Sequence, residues 1–489
     1  MNTRDELLNK ANSLIKEKKF VEAINILEKN IDANSGDNNI LFFLGYSYQK
    51  IEQFENAIHY FRRCLETDPA NPDILNEIGV SLMGMRLFDK AITVLQAAIE
   101  ISPNNIKLYN NLGAVFNLTG QFNAAIECLT KAIKLDAFYT DAYQNISHSY
   151  SFLGDFEKAE FYNKKALAIA PDSVDANFDY SIIKFNKGEF IEGWKFYEWR
   201  IKKNLIGFQD FSKPGLENQD VAGKTILLYD EQGFGDTIQF ARFIPMLKQK
   251  GCSVVLVTHE KLVDLMQNSK IADKVIPKKV GSFSVDYDFH IPLLSLPNYL
   301  KISEEKIPVK IPYLFVDEEL KVKKRKAITG GNQLKIGIVW RGKLPLGSEH
   351  RTTSLKFFLA LQSIPGVQLY SLQADTLTGE ENEILLRSNI IDLSGEVYNF
   401  YNTAAVMMNL DLIITIDTYS AHLAGALGKE VWTLLSYKGD WRWLSRQGKS
   451  IWYPNISLIK QYKFGEWEPV FEQVYNRLLF HVNDYNTSL

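Results

Sequence analysis

The sequence predicts an α-helical solenoid followed by an α/β module of two doubly wound halves with a cleft between them. Three observations predict it. Small residues recur every 34 positions through the first two hundred residues, a period that belongs to stacked helix pairs. After residue 223 short β-branched runs alternate with helical patterns, as parallel βαβ units require. The charged, Gly-rich stretch "DEELKVKKRKAITGGNQ" separates two such series, as a linker between halves would.

The 489 residues are too many for one ordinary domain, and the net charge of −3 comes without any long block of Lys and Arg. Counterion-release binding to nucleic acid is therefore not expected. The start, "MNTRDELLNK", lacks the basic end and apolar stretch of a signal peptide. No run approaches the roughly 18 apolar residues of a spanning helix. A cytoplasmic chain without membrane insertion is expected. Cys64, Cys128 and Cys252 are widely separated in apolar contexts, which suits buried thiols better than disulfides or a metal site.

In the repeat register Gly45, Gly79, Gly113, Ser147 and Ser181 align. Ala23, Ala57, Ala91, Ala125, Ala159 and Gly193 stand twelve positions on, with Pro69, Pro103 and Pro171 closing three units. This is the tetratricopeptide pattern, in which small residues let the first helix of each unit pack against the second. Residues 1–202 thus read as five tetratricopeptide (TPR) repeats and a degenerate sixth, sharing one core and a long concave groove. Two places before the small residues, Glu77, Asn111, Asn145 and Asp179 are expected to face that groove. They are either a solvated helix face or, at the asparagines, amides that can both donate to and accept from an extended peptide backbone. The sixth unit crowds in Trp194, Tyr197 and Trp199, an aromatic cluster suited to docking the next domain. Residues 203–222 then form a polar linker broken by Pro214 and Gly215.

Residues 223–318 read as the first α/β half, 319–334 as a linker, and 335–489 as the second half with a C-terminal helix. "KTILLYD" is a strand and "DTIQFARFIPMLKQKG" a helix, so "EQGFGD" is the loop between them, at the carboxyl edge of the first sheet. Ligands of doubly wound sheets bind at that edge. Gly233 and Gly235 permit close backbone approach or unusual dihedrals. Asp236 is expected to begin the helix, and with Gln239 it makes a capping-box-like pattern.

The motifs "EQGFGDTIQFARF", "HIPLLSLP", "IGIVWRG", "YSLQ", "IDTYSAHLAGALGKEVWTLL" and "DWRWL", in this order after the repeats, resemble bacterial TPR glycosyltransferases of the GT-B fold. That group is related to heptosyltransferases and, more distantly, to O-linked N-acetylglucosamine transferases. The resemblance covers essentially the whole chain. It implies two Rossmann-like domains, acceptor side first and donor side second, a nucleotide-sugar co-substrate, inversion at the sugar, and no cofactor or obligatory metal. In heptosyltransferases an aspartate in the matching glycine-containing loop is taken as general base, so Asp236 is the catalytic candidate beside its reading as a cap. The asparagines of the groove resemble those that hold an acceptor polypeptide in the related transferases.

On the donor side the expected strand ends at Asp417, and the helix starting near Ser420 offers unpaired amides to an anion. Thr418, Ser420 and His422 add side-chain donors or merely cap and pack. Arg341, Lys343 and Arg351 are the candidates to neutralise phosphate, and Gln373, ending "YSLQ", a candidate nucleotide contact. Trp441 and Trp443 fit a core better than a base stack. The acids of "DYD" (286–288) do not suit a two-sheet module, and "QGFGDT" does not complete a dinucleotide fingerprint.

The expected function is an inverting glycosyltransferase acting on a protein acceptor captured by the repeats, with flagellin or another surface protein as first guess. The alternatives are a heptosyltransferase-like enzyme acting on glycolipid or lipopolysaccharide, and an inactive TPR scaffold. Oligomeric state is open, self-association through an exposed end of the repeat stack being one option.

Overall fold

The computed structural model describes residues 3–31, 37–203, 211–278, 285–342, 349–446 and 449–488. Its contacts divide the chain into two compact units, Met1–Pro171 and Asp172–Leu489.

The first unit is five antiparallel helix pairs. They are α1 (Thr3–Lys16) with α2 (Phe20–Glu28), α3 (Asn38–Lys50) with α4 (Phe54–Thr67), α5 (Pro72–Gly84) with α6 (Phe88–Ile101), α7 (Ile106–Leu118) with α8 (Phe122–Leu135), and α9 (Thr140–Phe152) with α10 (Phe156–Ile169). The small residues are needed where the pairs cross. A Cβ on Gly45 would stand 2.6 Å from the Phe61 ring, on Gly79 2.8 Å from Leu95, and on Gly113 2.5 Å from Leu129. Ser147 fits the same place by donating its hydroxyl to the Ala159 carbonyl at 2.7 Å. The alanines of the second helices are fully buried. Asp37, Asn71 and Asn105, again 34 apart, cap α3, α5 and α7 through their side chains. The turn inside each pair needs a left-handed residue: Gly120 and Gly154 supply it without strain, whereas Lys18, Glu52 and Arg86 adopt it at φ near 60°.

The second unit begins with α11 (Val174–Asn186), α12 (Phe190–Tyr197) and α13 (Trp199–Lys202). Here the aromatic cluster is core. Trp194 donates Nε1 to the Ile302 carbonyl at 2.9 Å, and Phe185 stacks on Trp441 with ring centres 4.3 Å apart.

Strands β1 (Thr225–Tyr229), β2 (Ser253–Thr258), β3 (Lys274–Pro277) and β4 (Phe289–Pro292) form a parallel sheet in the order β3-β2-β1-β4. Between them run α14 (Phe234–Ala241), α15 (Ile244–Lys248) and α16 (Glu260–Asn268), with α17 (Leu296–Tyr299) and α18 (Glu318–Arg325) following. The second sheet has eight strands: β5 (Leu334–Val339), β6 (Val367–Ser371), β7 (Ile391–Asp392), β8 (Leu412–Ile416), β9 (Glu430–Leu435), β10 (Ser445–Arg446), β11 (Lys449–Ser450) and β12 (Ile456–Lys460). Its order is β10-β11-β12-β9-β8-β5-β6-β7. All pairs are parallel except those made by β11. Helices α19 (Leu355–Phe358), α20 (Gly379–Arg387), α21 (Phe400–Met408), α22 (Tyr419–Ala426) and α23 (Glu468–Ser488) complete it.

Both sheets are covered by apolar side chains, so strands such as β8 are buried along their whole length. This is the expected consequence of parallel strands between two layers. Among the described residues no helix is long and apolar enough to cross a membrane.

Candidate functional site

The loop after β1 is held by charges buried beneath it. Asp230 accepts from the Thr258 hydroxyl at 2.8 Å and the His259 amide at 2.7 Å, tying the carboxyl ends of β1 and β2 together. Glu231 is fully buried and takes Arg200 of α13 in a two-point pair, Nε to Oε2 at 2.9 Å and Nη2 to Oε1 at 2.7 Å. Burial opposes the Arg200 charge, but Glu231 and Glu198 outweigh it and raise its pKa further. Ser295, Glu198, the Tyr197 carbonyl and the Leu294 amide use the remaining donors and acceptors. The pair is thus satisfied at nearly every atom, which a buried ion pair needs in order not to destabilise.

Asp236 does not begin its helix. Gly233 is the N-cap and Asp236 stands in the third helical position, with Oδ2 accepting from the Gly233 amide at 3.2 Å. Gln239 takes no part in capping: it is fully buried and both polar atoms of its side chain lack a partner. The other Asp236 oxygen, Oδ1, receives Arg442 Nη2 at 2.7 Å from the far half of the unit. One oxygen therefore caps and the other faces a cation.

The two loop glycines differ: one has ordinary dihedrals, and the other allows a close approach, here to another helix. Gly233 is at φ −69°, ordinary extended backbone. Gly235 lies where α14 meets α22, and a Cβ there would approach the His422 ring to 2.9 Å. It is required by helix packing, not by unusual dihedrals.

At the carboxyl edge of the second sheet, β8 ends at Ile416 and Asp417 follows, before Thr418 caps α22 by accepting from the Ser420 amide at 3.3 Å. Asp417 is ion-paired with Arg351. Burial drives the Asp417 carboxyl up against the pull of Arg351. Arg442 adds a second guanidinium, held by Asp440 at 3.0 Å and by the Tyr197 hydroxyl, to which it donates at 3.2 Å. Burial works against its charge, but Asp236 and Asp440 carry it well above the usual arginine value. Arg351 Nε, Arg442 Nε, Thr353 Oγ1 and Ser420 Oγ are all buried without a partner. Unpartnered buried donors are costly; Ser420 stands in the first turn of α22 and Arg351 pairs with Asp417 just before it, where backbone amides also favour an anion.

Three expected donor contacts are otherwise engaged. Arg341 makes a two-point pair with Glu381 (2.7 and 3.0 Å) and donates to the Thr376 carbonyl at 2.6 Å. Its charge is matched in this pairing, and through Glu381 it supports the cap of α20. Gln373 is buried and spends its amide on the Arg341 backbone and Asp375, which leaves no donor for a nucleotide. His422 is buried between the halves, with Nδ1 3.2 Å from the Tyr453 hydroxyl and its ring stacked on Trp443 at 4.6 Å. Burial, with Arg442 and Arg242 nearby, holds it neutral, so it brings no charge to a phosphate. Lys343 lies outside the described residues.

In the repeats the expected groove positions join a ladder. Asn111 donates to Asn76 at 2.7 Å and Asn145 to Asn110 at 2.9 Å, while Asn76 reaches Glu77 at 3.2 Å. Glu77, Asn111 and Asn145 are half-buried and retain unused amide or carboxylate capacity. Asp179, half-buried on α11, belongs to the second unit.

Sequence reasoning missed Glu231 and Arg442. Glu231 directly precedes the glycine loop, yet its partner is 31 residues upstream. Arg442 stands between the two tryptophans of "DWRWL", which are both buried and drew attention as aromatics.

Tetratricopeptide-repeat family profiles match residues 107–172 and 39–71, and a TPR repeat profile matches 88–120. The chain carries tetratricopeptide repeats. It is 24% identical over 315 residues to Protein FlbA of Caulobacter vibrioides, an alignment covering 59% of this chain and 52% of that one. The chain thus spans about half the length of the curated relative it matches. Solved structures similar to part of it include TTC0263, a thermophilic TPR protein of Thermus thermophilus (19% identity, TM-score 0.34, 37% of this chain and 97% of that one). A second is the type IV pilus biogenesis factor PilW (17%, 0.37, 42% and 94%). A third is MamA (26%, 0.29, 34% and 91%).

Proposed function

We propose that the chain is an inverting glycosyltransferase that moves a sugar from a nucleotide-sugar donor to a protein acceptor held by its repeats. The observation that carries the reading is the meeting of Asp236, on the carboxyl edge of the first sheet, with the Arg351–Arg442 cluster on the carboxyl edge of the second. In the proposed reaction an acceptor hydroxyl attacks the anomeric carbon and passes its proton to Asp236. The bond from that carbon to the donor phosphate breaks on the opposite face, and its electron pair leaves with the nucleotide. The developing charge is met by Arg351, Arg442 and the amides of α22. The repeats favour a polypeptide over a small glycan, because an extended stack with free amide capacity suits an extended chain.

The test mixes the full chain with bacterial surface-protein extracts, flagellin included, and a panel of nucleotide sugars, following nucleotide release and acceptor mass. A sugar-sized mass increase on a protein is expected, with Asp236→Asn binding the donor but losing transfer by about 100-fold or more. A wild-type chain that binds no nucleotide sugar would leave protein binding by the repeats as the function. A variant that transfers normally but melts earlier would reduce Asp236 to a cap.

A further inference from the structure

Arg442 joins the candidate base on the first half to the loop after β9 on the second. It sits in the short 3-10 turn Trp441–Trp443, 16% exposed. Asp440, its neighbour two positions back, holds Nη1 at 3.0 Å and also caps the Arg442 amide at 2.9 Å. The Trp441 ring lies 4.6 Å from its guanidinium carbon. Those contacts belong to the second half and travel with the arginine. The contact to Asp236 Oδ1, at 2.7 Å, crosses to α14 in the first half and is the separable one. Arg442 Nε is buried without a partner, a donor not yet used.

Resting on the donor-site reading above, the geometry points to Arg442 as a handed-over cation: a diphosphate entering the cleft competes with Asp236 for the same guanidinium, and so releases the carboxylate to act as base. Asp236 Oδ1 faces the guanidinium at 2.7 Å and Oδ2 the Gly233 amide at 3.2 Å, so an acceptor hydroxyl gains an open carboxylate oxygen when the guanidinium moves. A phosphate offers that guanidinium two oxygens in the fork geometry it prefers. Arg351 Nε and Ser420 Oγ, also unpartnered, contribute to the same anion. Asp236 keeps its cap to the Gly233 amide, so release frees one oxygen without unwinding the helix. The chain would then bind donor before acceptor. Tyr197, which accepts from Arg442 and donates to Gln232 of the glycine loop at 3.2 Å, keeps the arginine in register during the exchange. It is a positioning residue.

Competition for one group has a signature that simple base catalysis lacks: removing one competitor strengthens the other. The experiment measures, by calorimetry with the full chain, the affinity for inorganic pyrophosphate and for UDP, GDP, CDP and ADP. The proteins are wild type, Asp236→Asn, Arg442→Gln and the double variant. Asparagine keeps the cap acceptor, so the first variant should fold. Asp236→Asn is expected to tighten the best diphosphate about fivefold or more, Arg442→Gln to weaken it about tenfold, and the double variant to bind no tighter than Arg442→Gln alone. If Arg442→Gln does not fold, the cycle is repeated with Arg442→Lys, where the tightening should fall below about twofold. Tightening of equal size in both backgrounds would mean general charge removal and would overturn the hand-over, as would an unchanged affinity in Asp236→Asn. A wild-type chain that binds none of the probes would instead bring down the donor-site reading itself, whereas binding and Asp236-dependent transfer with an additive cycle would remove the hand-over alone.

Discussion

The repeats and the cleft treat polar side chains in opposite ways. In the repeats Asn76, Asn110, Asn111 and Asn145 bond to one another from one helix pair to the next, and the small residues beside them are there to let helices touch. In the cleft Arg351, Arg442 and Ser420 are brought together with donors to spare, while the buried Arg200–Glu231 pair beneath the glycine loop is almost completely used. A surface built by repetition spreads polarity thinly and leaves it half in water. A site built by folding distant loops together concentrates charge, and only what supports it is saturated.

On that contrast, breaking the support should cost far more than breaking the ladder. Glu231→Gln breaks the two-point pair and leaves the buried Arg200 with the part-exposed Glu198 as its remaining counter-charge, and breaking a buried pair costs about 3–5 kcal/mol. Denaturant unfolding of the full chain is expected to show that loss in the transition of the second unit. A loss under about 1 kcal/mol would mean the pair is solvated and does not set the glycine loop.

Asn76→Ala is the corresponding change in the ladder. It removes the acceptor of Asn111 and the donor to Glu77. Those partners are half-buried and can turn to water, so about 1 kcal/mol is expected. Urea melts of the full chain measure it, and a cost equal to that of Glu231→Gln would erase the contrast.

The same contrast explains what was legible in the sequence. Helix crossings and buried alanines of the repeats were readable because each position is written several times at one spacing, so Gly45, Gly79 and Gly113 vouch for one another. The strands and their carboxyl edges were readable from β-branched runs, and the loop at Asp236 and the junction at Asp417 with them. Partners were not. Arg341 looked free because Glu381 lies 40 residues on, and Asp236 looked like a helix start because a glycine N-cap leaves no side-chain signal. Arg442 is invisible as a partner of Asp236 until two sheets are folded edge to edge.

Repetition also marks where the repeats fall short of their own pattern. Residues 52, 86, 120 and 154 occupy the same turn with φ between 62° and 77°. Two are glycine, whereas Glu52 and Arg86 hold a conformation that costs an L-residue about 1–2 kcal/mol. Glu52 is exposed, so Glu52→Gly removes no packed side chain. Part of the gain is returned because glycine loosens the unfolded chain. A net stabilisation of about 0.5–1 kcal/mol is expected, read as a higher melting midpoint of the first unit with no change in the second. Destabilisation instead would mean that the Glu52 side chain contributes to the turn, and that its place in the pattern is set by contacts rather than by backbone conformation.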